Sequence, residues 1–277
     1  MQCGAIFLER AVFNIEFPAP DTEVLPGVPW GPIEAFPTPA YWAYQVYARR
    51  LQSNRIDYKL GATLKEEVGA CLLGGHGIPA SVGLAAFHHV KRKGAFSDAP
   101  PSEEVLLEWL YEPLSVDGRS IRYRFAKQKA RYLAAALQKL HSEDPPLDSG
   151  KALRNWLLAI SGIGYKTASW VARNWLDADD VAILDIHILR AGLLGKFFQE
   201  NLTVERHYLE LEEQFLRFSE ALGVRASELD ALIWLEMMSS QRTIHSILGM
   251  GQTSPKRGTP SRPKKRQAHT NQLTLIG

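Results

Sequence analysis

Residues 151–190, KALRNWLLAISGIGYKTASWVARNWLDADDVAILDIHILR, hold two apolar helix-periodic runs joined by a glycine turn, Ser161-Gly162-Ile163-Gly164-Tyr165-Lys166. Leu153, Trp156, Leu157 and Ile160 recur at helical spacing before the turn, and Ala168, Trp170, Val171 and Trp175 after it. Two glycines one residue apart let the backbone turn sharply and bring its N–H groups close to an outside group. A helix that starts just after such a turn presents unpaired N–H donors, which suit a phosphate. The pattern is that of a helix-hairpin-helix. Nineteen residues after Lys166 stands Asp185, between the apolar run Val181-Ala182-Ile183-Leu184 and Ile186-His187.

On either side of this stretch the chain reads as helical. A helix is expected from Pro39 to about Gln52, and another from Thr63 to Leu73 with Thr63 and Glu66 as a capping box. After the breaker Gly74-Gly75-His76-Gly77-Ile78-Pro79 a helix resumes at Ala80 and runs to about Lys91. Its basic end (His88, His89, Lys91, Arg92, Lys93) suits the helix dipole and is equally a plain solvated terminus. Ser102 caps a helix over 103–111, and Leu133, Ala136, Leu137 and Leu140 mark an amphipathic helix over 124–141. Further helices are expected from Asp185 to about Gly195, after a cap at Thr203, and over 228–238. Residues 1–38, rich in proline and glycine, are expected to be irregular or extended, with a short strand near Ala5–Leu8 at most. No strand ladder stands out, so the fold class is all-α.

Composition narrows the function. No run approaches about 18 apolar residues, so no membrane helix is expected. The start, MQCGAIFLERAVFNIEF, lacks the basic lead and long apolar run of a secretion signal, which favours a cytoplasmic protein. The two cysteines, Cys3 and Cys71, imply a reducing compartment and are too few for an all-cysteine iron–sulfur cluster, so neither metal nor cofactor is expected. Six of the 32 basic residues fall after residue 253, leaving 26 against 30 acidic residues in the body, a net of −4. A body with that balance binds nucleic acid only if its positive charge gathers on one face.

The glycine turn alone supports a DNA-binding hairpin in which the lysine meets a phosphate. Asp185, placed where the chain leaves a buried run, is open to a role as helix N-cap as well as to chemistry. Together, GIGYKTASWVARN and VAILDIHIL resemble the helix-hairpin-helix DNA glycosylase superfamily, and within it the compact archaeal-type 8-oxoguanine DNA glycosylases. The likeness extends to Tyr123-Arg124-Phe125, Lys129 and Tyr132, and to Leu229-Asp230-Ala231-Leu232-Ile233-Trp234, covering about residues 60–240. It implies two helical subdomains, over residues 39–252, with the active site in the cleft between them.

The resemblance also implies roles. Lys166 matches the nucleophile that attacks C1′, expels the base and forms a Schiff base, from which β-elimination gives AP-lyase activity. Asp185 matches the carboxylate that stabilises the positive charge developing on the sugar. His187 matches a phosphate contact, and Gly162 and Gly164 are expected to offer N–H groups to phosphate. The Gly74–Ile78 loop, with His76 and Ile78, falls where relatives insert a wedge into the space left by a flipped base. Trp170, four after the lysine, stands where the family carries a cysteine or histidine against the base, and Asp230 and Trp234 fall in the other pocket segment. An indole stacks on a purine as readily as it fills a core, so a different or bulkier modified base is a standing alternative. A catalytically silent DNA-binding adaptor is another.

The tail, residues 253–277, is expected to be disordered and to add salt-sensitive affinity for duplex DNA. It ends in Gln272-Leu273-Thr274-Leu275-Ile276, which resembles the short peptide by which bacterial repair proteins bind the sliding clamp. The expected partner is double-stranded DNA carrying a damaged base, bound by a monomer, with no membrane involved.

Overall fold

The structure, a computed structural model, describes residues 1–8, 11–52, 59–75 and 77–239. The tail with its residues 272–276, and His76 of the expected wedge, lie outside the described residues. Helices dominate: α1 (Pro39–Leu51), α2 (Leu64–Leu73), α3 (Ala80–Arg92), α4 (Glu103–Tyr111), α5 (Ala126–Ser142), α6 (Gly150–Leu157), α7 (Tyr165–Leu176), α8 (Ile186–Leu194), α9 (Tyr208–Ala221) and α10 (Ala226–Ser239). Caps set several of their starts. Thr63 Oγ1 accepts from Glu66 N–H at 3.2 Å, and Ser149 Oγ from Ala152 N–H at 3.1 Å. Glu66 completes its box one residue early, accepting from Ala62 N–H. The expected cap at Thr203 is displaced: α9 begins only after His207, and Thr203 instead accepts with its carbonyl from Arg206 and His207 in a preceding turn.

Three two-stranded antiparallel sheets accompany the helices, where the sequence showed no ladder. β1 (Gln2–Leu8) pairs along its length with β2 (Ala11–Phe17), and β3 (Glu23–Leu25) pairs with β4 (Val28–Pro29). Within residues 1–38 the extended chain is therefore paired into strands as far as Pro29 and irregular from Trp30 to Thr38, and Phe17, Trp30 and Ile33 are buried with α1. β5 (Leu114–Val116) and β6 (Arg119–Ile121) flank Asp117 and Gly118, both at positive φ, 50° and 72°. Paired positive-φ residues at a two-residue loop match the right-handed twist of a hairpin.

The apolar residues form two cores. One gathers α2 to α7, around Leu72, Phe87, Leu106, Leu133, Leu153 and Val171. The other joins the N-terminal hairpins and α1 to α8, α9 and α10, around Trp42, Phe215, Phe218 and Leu232. α1 and α10 meet beside this second core, where Arg49 pairs with Glu236 and Arg50 with Glu228. The chain crosses between the cores once after α7, through residues 181–184. Val181 belongs to the first and Leu184 to the second. No helix among the described residues is long and apolar enough to cross a membrane.

Candidate active site

The crossing is where the predicted chemistry meets. After α6 a tight turn runs to Gly164, with Ile163 N–H bonded to Ile160 O at 3.1 Å. Gly162 takes φ +87°, and a Cβ there would run into the Tyr132 ring of α5. Gly164 is the N-cap of α7 at φ −98°, bonds no side chain to the helix start, and has nothing within 4 Å of a Cβ. The N–H groups of the first turn of α7 therefore open toward solvent. The two glycines should part company on mutation. Gly162→Ala is expected to destabilise the fold by about 1–3 kcal/mol through strain and the Tyr132 clash. Gly164→Ala should change stability by less than about 0.5 kcal/mol but weaken DNA binding about tenfold, since a methyl blocks a phosphate from those N–H groups. Denaturant melts and filter binding of both variants check the split.

Lys166 is the second residue of α7, and its Nζ lies 3.2 Å from Asp185 Oδ2. The lysine side chain is 42% exposed and the aspartate 10%. Asp185 is at once the N-cap of α8. Its Oδ1 accepts from His187 N–H at 2.8 Å and Ile188 N–H at 3.2 Å. One carboxylate oxygen is thus fixed by backbone, while the other is turned to the amine. The N-cap role expected for Asp185 is thus observed, and it leaves Oδ2 facing the amine.

What aims Asp185 is the crossing segment, which is neither helix nor strand. Its N–H groups must find partners elsewhere, and they find side chains of α9 and α10. Ala182 N–H donates to Glu212 at 3.0 Å, Ile183 N–H to Asp230 at 3.1 Å, and Leu184 N–H to the Tyr208 hydroxyl at 3.2 Å. Tyr208 in turn donates to Ala182 O at 2.8 Å, and burial pushes its phenol well above the usual range. Glu212 also forms a buried ion pair with Arg154 of α6. Tyr165, at the start of α7, stacks on Tyr208 with ring centroids 5.3 Å apart. Arg154, Tyr208 and Glu212 were not singled out from sequence, yet they tie the hairpin to the aspartate.

The other predicted residues spread around this centre. His187, the second residue of α8, meets Trp234 of α10 edge-on with ring centroids 6.4 Å apart. Burial lowers its imidazole below the usual histidine range, against the pull of Asp185 and helped by Arg190 and Lys166. Trp170, half-buried on the first core, rests its ring edge near Gly74 at the end of α2. That end is held by Lys129, whose Nζ donates to Gly74 O at 3.2 Å and also to Leu72 O, and by Tyr123, which donates to Leu73 O at 2.6 Å. Ile78 follows on the same loop, packed against the first core. The two indoles therefore stand on opposite cores, with the Lys166–Asp185 pair at the junction.

Asp230, expected in a base pocket, is instead a buried brace. It is 2% exposed, bonded to Ile183 N–H, and lies 3.5 Å from Arg173. Burial raises its carboxyl to about 6, against the pull of Arg173. Its native value thus lies above the roughly 3.9 of an unfolded aspartate. The protonated form's stabilising contribution is complete below that lower value and is lost as pH rises through about 6. The unfolding free energy of the wild type relative to Asp230→Asn should accordingly fall between about pH 4 and pH 7. A difference flat across that range would contradict the burial argument.

A family model for 8-oxoguanine DNA glycosylase matches residues 63–224. An 8-oxoguanine DNA glycosylase/AP lyase of Methanocaldococcus jannaschii is 34% identical over 128 residues, which is 44% of this chain and 61% of the relative. One from Metallosphaera sedula is 32% identical over 150 residues, 51% of this chain and 71% of the relative. The chain thus spans about 60% of the length of the first of these relatives. The solved structure of the M. jannaschii 8-oxoguanine DNA glycosylase shares the fold, with a TM-score of 0.53 and 24% identity over 74% of this chain and 93% of that one. With the family model spanning more than half its length, hairpin and crossing included, this chain belongs to the 8-oxoguanine DNA glycosylase family.

Proposed function

We propose that this protein is a bifunctional DNA glycosylase/AP lyase that removes an oxidised purine, 8-oxoguanine foremost, from duplex DNA. The observation that carries the reading is an amine and a carboxylate 3.2 Å apart at the junction of two cores, beside a helix start with no side-chain cap. The open N–H groups of α7 and the His187 imidazole would hold phosphates of a bent strand, while the target nucleotide is flipped toward the junction. Lys166 must shed a proton to become a nucleophile, and Asp185 Oδ2 lies next to it. The free amine forms a bond to C1′ as the glycosidic bond breaks and its electron pair leaves with the base, which takes up a proton. The Asp185 carboxylate stabilises the positive charge on the sugar during that exchange. The C1′ adduct opens to a Schiff base, a C2′ proton is removed, and the 3′ phosphate leaves by β-elimination. Water then releases the lysine.

A second reading keeps the chemistry and changes the base. Trp170, in place of the family's cysteine or histidine, supplies a broad ring on the first-core wall that would stack on a bulkier modified purine. The terminal peptide at residues 272–276 is assigned to the sliding clamp; removing residues 271–277 should abolish clamp binding, and unchanged binding would sink that assignment. The activity itself is tested with duplexes carrying one lesion each. Release of free 8-oxoguanine with a nick at the site is the expected result. Release from another lesion alone selects the second reading, and binding with no release from any lesion makes the protein an adaptor.

A further inference from the structure

Charge on the body is negative overall, so a DNA-binding face has to be found locally. Residues 119–131, RSIRYRFAKQKAR, carry Arg119, Arg122, Arg124, Lys127, Lys129 and Arg131, and no acidic residue occurs between Asp117 and Glu143. Lys129 is turned inward to the α2 carbonyls, and the other five cations are exposed. None of those five forms an ion pair with a carboxylate among the described residues. Elsewhere exposed cations do: Arg50 with Glu228 and Lys93 with Glu112, as does the partly buried Arg225 with Asp177 and Asp179. An arginine or lysine left without a carboxylate keeps its full charge for an anion.

The placement of the run gives it a partner. Arg131 stacks over Tyr132, with its guanidinium carbon 5.2 Å from the ring centre, and that ring is the floor under Gly162 of the hairpin turn. Lys127, four residues before Arg131, shares its face of α5. Arg124 stacks over Phe125 at 5.1 Å, and Phe125 lies beside Gly77 of the loop after α2. Arg119 opens β6, Arg122 lies in the link from β6 to α5, and both are exposed. Arg131 is thus tied through Tyr132 to the hairpin turn and Arg124 through Phe125 to the loop, while the remaining cations precede or share α5 with them in one run without an acidic residue.

We infer that Arg119, Arg122, Lys127 and Arg131 form a phosphate track that holds the duplex flanking the target nucleotide, extending the hairpin's own phosphate site. The inference rests on the DNA glycosylase reading and adds the path the duplex takes. The track reads charge and spacing, so it grips damaged and undamaged duplex alike.

The test is the salt dependence of binding to an undamaged duplex, measured for the wild type, Arg119→Ser/Arg122→Ser and Lys127→Gln/Arg131→Gln. Each lost phosphate contact should lower the slope of log K against log salt by about 0.9, so each double variant by about 2. Arg119→Lys/Arg122→Lys should keep the wild-type slope, which a purely structural role for the arginines would not predict. An unchanged slope in both neutralised variants overturns the track; if the wild type still cleaves lesion DNA, the proposed activity stands without it. A wild type that binds no duplex DNA overturns both. Losses confined to an RNA duplex overturn the assignment to DNA.

Discussion

Lys166→Gln is expected to abolish strand cleavage, lowering its rate by on the order of 10³-fold or more, as removal of a covalent nucleophile does elsewhere. The amide nitrogen of glutamine cannot attack C1′, and no Schiff base forms without an amine. Fold and affinity should survive. The lysine side chain is 42% exposed, and such ion pairs contribute about 0–1 kcal/mol. Asp185 keeps both of its backbone donors in the variant. Asp185→Asn makes the companion test, because asparagine is as good an N-cap and can still accept from His187 and Ile188. It removes only the charge, so a loss of about 10²–10³ in rate with an unchanged melting temperature is expected. Full cleavage by Lys166→Gln would contradict the assignment of the nucleophile.

Glu212→Ala should be the most destabilising single change near the site. Glu212 is 3% exposed and has two partners, Arg154 on the first core and Ala182 N–H on the crossing. Its removal strands a buried guanidinium, at a cost of about 3–5 kcal/mol, and leaves a buried N–H unpaired for about 1–3 kcal/mol more. Because the Ala182 bond lies three residues before Asp185, residual activity should fall further than stability alone explains. Glu212→Gln keeps an acceptor for Ala182 and loses only the charge, so it should fall between wild type and alanine. Denaturant unfolding reads both; a loss below about 1 kcal/mol for the alanine variant would show that the pair is not buried as described.

Much of this arrangement was legible beforehand, for physical reasons. Helical periodicity with caps at Thr63 and Ser102 placed α2 and α4 almost to the residue. The glycine turn and the Lys166-to-Asp185 spacing marked the candidate site because both are local in the chain, and the two side chains do meet. The N-terminal hairpin hid because apolar residues occupy both its faces: Ile6 is buried, while Phe7, its neighbour, is 74% exposed. A strand with that composition shows no period of two. The β5–β6 turn did carry an Asp-Gly signal, but three-residue strands are too short to display alternation.

The brace behind Asp185 escaped for another reason. Glu212 falls on the same stripe of α9 as Tyr208, Leu211 and Phe215, and Asp230 on that of Leu229 and Ile233 in α10. Charged residues inside an apolar stripe are themselves a signal, since acids are almost never fully buried unless paired. Their partners could not be read, because Arg154 lies 58 residues from Glu212 and Ile183 47 from Asp230. Such pairings exist only once the two cores have met.

In the proposed reaction Lys166 itself becomes bonded to the sugar. Borohydride reduces a Schiff base to a stable amine, so a trapped complex on 8-oxoguanine-containing duplex can be digested and its modified residue identified by mass spectrometry. The predicted result is one adduct, on the peptide carrying Lys166, retained in Asp230→Asn and absent in Lys166→Gln. An adduct on Lys129 or on the amino terminus, or free base released with no adduct at all, would contradict it.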